Sequence, residues 1–125
     1  MFGIDIYPHL VDLSRQNILR GDGDLLSSGV VTLQVANGWK GLRDEGPFDA
    51  IHVGAAAAEL PRELALQLKV GGVLIVPVGP VGGVQSLYRI DRVDDKSRGM
   101  DAFDDNDFRL KELLGVRYVP LIQGP

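Results

Sequence analysis

The chain has 125 residues, a formal net charge of -4, an apolar content of 45% and no cysteine. These values suit one small domain or a large part of one, exclude disulfides and thiolate metal sites, and lack the basic stripe that a nucleic-acid partner requires. No apolar run reaches the length of a membrane span, the first residues carry no signal-peptide pattern and make cytoplasm the expected location, and His9 and His52 lack metal-ligand spacing.

Residues 1–6 read as a strand. Pro8 then marks a helix start, because its missing N–H costs nothing at the first helical position. Leu10, Val11, Ser14 and Ile18 share one face of that helix, which should stop near Arg20, before Gly21-Asp22-Gly23. Residues 30–35 alternate with period two and place Val31, Leu33 and Val35 on one face of a second strand, closed by an Asn37-Gly38 turn. Residues 48–53 are apolar on both faces apart from Asp49 and His52, the pattern of an interior parallel strand, with His52 as a core histidine. The small residues 54–58 allow close backbone approach.

A helix is predicted over 61–69, with Leu60, Leu64 and Leu68 at four-residue spacing and Gly71-Gly72 as its end. Residues 73–78 form a strand, 79–83 a flexible glycine-proline loop, and 85–93 a further strand. The aspartate-rich stretch 94–107 has no periodicity and reads as an exposed, mobile loop. A last strand is predicted over 113–121. Alternating strands and helices followed by two strands indicate a single α/β domain over 1–125. Its sheet should be mainly parallel, with a reversed strand pair at one edge.

Four segments carry a resemblance. They are Gly3-Ile4-Asp5; Leu25-Leu26-Ser27-Ser28-Gly29; the ten residues from Phe48 to Ala57; and Pro77-Val78-Gly79-Pro80 with Gly82-Gly83. Val116 and Tyr118-Val119-Pro120-Leu121 extend it, and 93–108 is the main exception. In that order these segments resemble the protein-L-isoaspartate O-methyltransferase family. The resemblance implies a Rossmann-like, S-adenosyl-L-methionine-dependent methyltransferase fold. It also implies methyl transfer to the α-carboxylate of L-isoaspartyl residues in damaged proteins, whose ester then closes to a succinimide. The implied partners are isoaspartyl-containing proteins and peptides, with no nucleic acid and no membrane, and the implied full-length form is a monomer. Such chemistry needs no nucleophilic triad. The carboxylate is already ionised and the sulfonium already activated, so catalysis rests on alignment and exclusion of water.

By the same resemblance, Asp5 stands at a strand end where a carboxylate can accept from both ribose hydroxyls, and Asn37 and Gly38 lie near the adenine. The family often has Asp-Gly there; Asn37 offers an amide oxygen without the charge. Gly79, Gly82, Gly83, Val116 and Tyr118 match segments that shape the peptide site; a plain turn and an edge strand are the alternative. A nucleotide-binding α/β unit places its glycine-rich turn about twenty residues before the ribose acid, whereas only four residues precede Asp5. The loop 79–83 follows a later strand and has the wrong spacing. The resemblance then implies that the family's N-terminal helices, its first central strand and its catalytic residues are missing from this chain. The expected explanation is an incomplete or alternative gene product or a mispredicted start, and the 125 residues are expected to be inactive by themselves. The competing readings are a non-catalytic binding remnant and another cofactor-dependent enzyme of the same architecture, such as a different methyltransferase.

Overall fold

The computed structural model describes residues 1–95 and 103–123. The chain divides into two compact units, Met1–Gly38 with Ile122–Pro125, and Trp39–Leu121.

The first unit consists of β1 (Phe2–Asp5), α1 (Pro8–Leu19), α2 (Gly23–Ser27) and β2 (Thr32–Val35). β1 and β2 are parallel, in register from Phe2 opposite Thr32 to Asp5 opposite Val35. A parallel pair cannot be joined by a hairpin, and the two helices supply the crossover. Pro8 opens α1 as its position predicts. The predicted helix face is narrower than expected: Val11 is buried and Ile18 half-buried, while Leu10 and Ser14 are exposed. Gly21-Asp22-Gly23 ends one helix and begins another. The Asp22 N–H donates to the Ile18 carbonyl at 2.8 Å, and the Asp22 carbonyl accepts from Leu25 at 2.9 Å.

The second unit holds a 3-10 turn (Arg43–Glu45), β3 (Phe48–His52), α3 (Arg62–Leu66), β4 (Leu68–Val78), β5 (Gln85–Arg92), a 3-10 turn (Asp105–Asp107) and β6 (Phe108–Val116). Its sheet runs β3-β4-β5-β6. β3 is parallel to β4, and the remaining pairs are antiparallel. Only β5 runs against the other three strands, one place in from the edge strand β6, so the predicted reversed pair at the edge is a single reversed strand. The core occupies one face: Leu64 and Ala65 of α3 pack on Leu74, Val76 and Ile90, with Leu68 and Phe108 beside them. Full burial of each leucine contributes about 1.5–3 kcal/mol.

Several expectations are corrected. Among the described residues β3 pairs only with β4, so it is an edge strand of this sheet, and His52 at its end is exposed. The helix predicted over 61–69 is only Arg62–Leu66, and Leu68 already belongs to β4. Gly71-Gly72 lies inside β4, at a register shift where Phe48 faces Leu68 but Ala50 faces Val73. Gly71 takes φ +87°, and a Cβ on Gly72 would stand 3.0 Å from the Phe48 carbonyl oxygen. A bulge uses glycines in this way, so the pair kinks a strand instead of ending a helix. The last strand lies several residues earlier than predicted and ends at Val116, leaving Tyr118 beyond it.

The acidic stretch is anchored at its described C-terminal end. Phe103 stacks on Phe108 with ring centroids 4.7 Å apart and lies under the Arg62 guanidinium. Asp107 is fully buried, and its carbonyl accepts from the Val93 N–H at 2.7 Å. Residues 96–102 of the predicted mobile loop lie outside the described residues. Among the described residues, no helix is long and apolar enough to cross a membrane.

Candidate functional site

In a parallel pair, both strands deliver their C-terminal ends to the same side, about 5 Å apart. Asp5 ends β1 opposite Val35, and Asn37-Gly38 follows two residues beyond. The Asp5 carbonyl accepts from the Ala36 N–H at 3.0 Å, which ties the two ends together. The Asp5 side chain is half-buried. Its Oδ1 accepts from the Tyr7 N–H at 3.0 Å, an Asx turn that fixes the carboxylate just before Pro8 starts α1. Its Oδ2 makes no hydrogen bond among the described residues. The Asn37 Nδ2 donates to the Gln123 carbonyl at 3.2 Å, which orients that amide. Asp5, Asn37 and Gly38 thus come together at one end of the first unit.

The arrangement suits the adenosine part of a nucleotide. A carboxylate with a fixed plane and an open oxygen accepts from vicinal hydroxyls, and an amide one strand away complements a base edge. Among the described residues no group of three or more histidine, aspartate or glutamate side chains could hold a metal.

The other sequence-predicted residues lie in the second unit. Gly79 takes φ +153°, and a Cβ there would stand 2.8 Å from the Gln85 Cα, so the chain passes too close for a side chain. Gly82 takes φ +76° over open space, and a Cβ on Gly83 would press on the Pro80 ring at 2.9 Å. Val116 ends β6 opposite Gln85. The backbone of Tyr118 reaches the same residue: its N–H donates to Gln85 Oε1 at 2.8 Å, while Gln85 Nε2 donates to the Pro80 carbonyl at 3.0 Å. Gln85, only 2% exposed, therefore brings the glycine loop and the 116–118 segment together.

Sequence reasoning passed over Gln85. The sequence carried no local signal for it, because β5 also holds Ser86, Arg89, Asp91 and Arg92, and nothing in that pattern marks Gln85 as the buried residue that must find partners. Gln67 acts as Gln85 does, elsewhere. It is buried, its Nε2 donates to the Lys40 carbonyl at 2.7 Å, and its Oε1 accepts from Leu42 at 3.0 Å. The small segment 54–57 is used for close packing. The Ala56 N–H donates to Val119 at 2.7 Å and the Ala57 N–H to Pro77 at 2.8 Å.

The family model for protein-L-isoaspartate(D-aspartate) O-methyltransferase matches residues 1–125. Over 120 residues, 95% of this chain, the sequence is 40% identical to protein-L-isoaspartate O-methyltransferase 2 of Arabidopsis thaliana and 42% identical to the protein-L-isoaspartate O-methyltransferase of Triticum aestivum. It covers 35% and 47% of those two proteins, so it spans a third to a half of the curated relatives it matches. Among solved structures, a candidate protein-L-isoaspartate O-methyltransferase from Plasmodium falciparum, in complex with S-adenosyl-L-homocysteine, superposes with a TM-score of 0.78 at 31% identity. That match covers 98% of this chain and 52% of the other. The predicted fold is thereby found: a Rossmann-like mixed sheet with helices, of the methyltransferase kind. With the family model matched from end to end, and with the strand-end Asp5 and the glycine loop in its order, the chain belongs to the protein-L-isoaspartate(D-aspartate) O-methyltransferase family.

Proposed function

We propose that this protein serves S-adenosyl-L-methionine-dependent repair of L-isoaspartyl residues in damaged proteins, and that residues 1–125 supply the adenosine half of the cofactor site. The observation that carries the proposal is that Asp5, opposite Val35, and Asn37-Gly38, two residues beyond Val35, stand at the C-terminal ends of two neighbouring parallel strands. When bound, the cofactor supplies an activated methyl group on its sulfonium. Asp5 holds the ribose through its open Oδ2, its plane fixed by the Tyr7 N–H. Asn37 borders the adenine, its amide oriented by Gln123. The loop with Gly79, Gly82 and Gly83, and the segment with Val116 and Tyr118, are the peptide-facing candidates that Gln85 holds together.

The 125 residues contain no glycine-rich turn upstream of Asp5. By themselves they grip the adenosine half only and do not align a methyl group with an acceptor. Calorimetric titration of S-adenosyl-L-homocysteine and of adenosine into the chain tests the assignment. Both should bind with similar affinity and compete with each other. Failure of both to bind the folded chain would refute it.

A further inference from the structure

We infer that Asn37-Gly38 is a site of spontaneous succinimide chemistry, at which this protein converts its own asparagine to aspartate and isoaspartate. The pair is the sole Asn-Gly in the sequence. It lies outside every helix and strand, directly after β2. Gly38 has no side chain to hinder approach to its own nitrogen. The Gly38 N–H donates no hydrogen bond among the described residues, so the nucleophile is not held in a ladder or a helix. The other two asparagines differ. Asn17 lies inside α1 and precedes Ile18, and Asn106 lies in the Asp105–Asp107 turn, with its N–H and its Nδ2 both donating to Asp104 Oδ1.

In the first step the Gly38 backbone nitrogen attacks Cγ of Asn37. The N–Cγ bond forms and the Cγ–Nδ2 bond breaks. The side-chain amide departs as ammonia, carrying the proton from the Gly38 N–H. Water then opens the five-membered imide. Opening at Cγ gives aspartate, and opening at the backbone carbonyl gives isoaspartate, with an extra methylene in the main chain. No oxidant, metal or further reactant is needed. Either product removes the donor that reaches the Gln123 carbonyl and places a negative charge at that strand end. The aspartate product keeps the main chain as it was, whereas the isoaspartate product lengthens it by a methylene and displaces the turn. The chemistry stands independently of what the strand ends bind.

The test ages the folded chain in neutral buffer made with oxygen-18 water, then maps peptides by fragmentation that separates aspartate from isoaspartate. Position 37 should gain both products, each with one heavy oxygen, while Asn17 and Asn106 stay intact. Gly38→Ala should slow conversion about tenfold or more, since a methyl group crowds the attacking nitrogen and restricts its backbone. The same chain unfolded in urea serves as the second measurement and does not depend on any variant folding. An asparagine that persists at position 37 in the folded chain while the urea-unfolded chain converts would overturn the inference, because the fold would then be protecting the pair.

Discussion

Asp5 already has one carboxylate oxygen committed to Tyr7, and that commitment orients the other. Asp5→Ala should therefore weaken S-adenosyl-L-homocysteine binding by about 1.5–3 kcal/mol, the scale of a hydrogen bond to a charged group. That is roughly 10- to 100-fold in dissociation constant, readable by calorimetry. An unchanged affinity would remove Asp5 from the site. Gln85 is a different kind of residue, because it is buried and acts by tying together the two segments that carry the peptide-facing candidates, through the Tyr118 N–H and the Pro80 carbonyl. Gln85→Leu strips a buried acceptor from the Tyr118 N–H and a donor from the Pro80 carbonyl. It should cost about 1–3 kcal/mol for groups left without partners. Urea unfolding would read that loss, and hydrogen exchange should quicken at the Tyr118 amide; an exchange rate equal to wild type would show that Gln85 does not hold the segment.

The elements differ in how far local pattern reveals them. Pro8 and the alternation after Val31 act within a few residues, and the structure follows them. Gly71-Gly72 could not be read locally, because a glycine pair breaks a helix and bulges a strand with equal ease. Its role depends on Phe48 and Asp49 approaching from another strand. His52 was misplaced for a related reason. An apolar pattern does not state how many neighbours a strand has, and β3 has one in this sheet. The boundary of β6 was hidden because its leucines, Leu110, Leu113 and Leu114, are exposed, so burial does not mark where pairing starts. That Asp5 and Asn37-Gly38 stand at neighbouring strand ends was legible in the sequence, whereas Gln85 acts through tertiary contacts alone.

The acidic stretch yields a prediction at the same scale. Its aspartates suggested an exposed, mobile loop, but Phe103 stacks on Phe108 of β6 and Asp107 is buried. Phe103→Ala should destabilise the chain by about 1–3 kcal/mol, less than a fully buried phenylalanine because the ring is only partly covered. A neutral effect in thermal or urea unfolding would show that Phe103 does not anchor the stretch. Arg92 adds a second anchor. Its buried guanidinium donates to the Leu66 and Leu68 carbonyls at 2.9 and 2.7 Å and lies over the Phe108 ring. Arg92→Met should cost about 1.5–3 kcal/mol, because the charged donor that satisfies the carbonyls after α3 is lost. The same unfolding experiment reads it.

At the scale of the whole molecule, the residues assigned to the adenosine half lie in one compact unit, and the peptide-facing candidates lie in the other. Holding adenosine does not hold a sulfonium methyl in line with a carboxylate, and alignment of that kind is worth up to about 7–11 kcal/mol. The most direct measurement follows radiolabelled methyl transfer from S-adenosyl-L-methionine to an isoaspartyl peptide. One arm uses residues 1–125 alone, and the other joins them to the N-terminal segment of the Triticum aestivum relative. The account predicts no transfer above background in the first arm. In the second it predicts cofactor-dependent transfer that Asp5→Ala depresses. Robust methylation by residues 1–125 alone, or a folded fusion that binds cofactor yet transfers nothing, would contradict it.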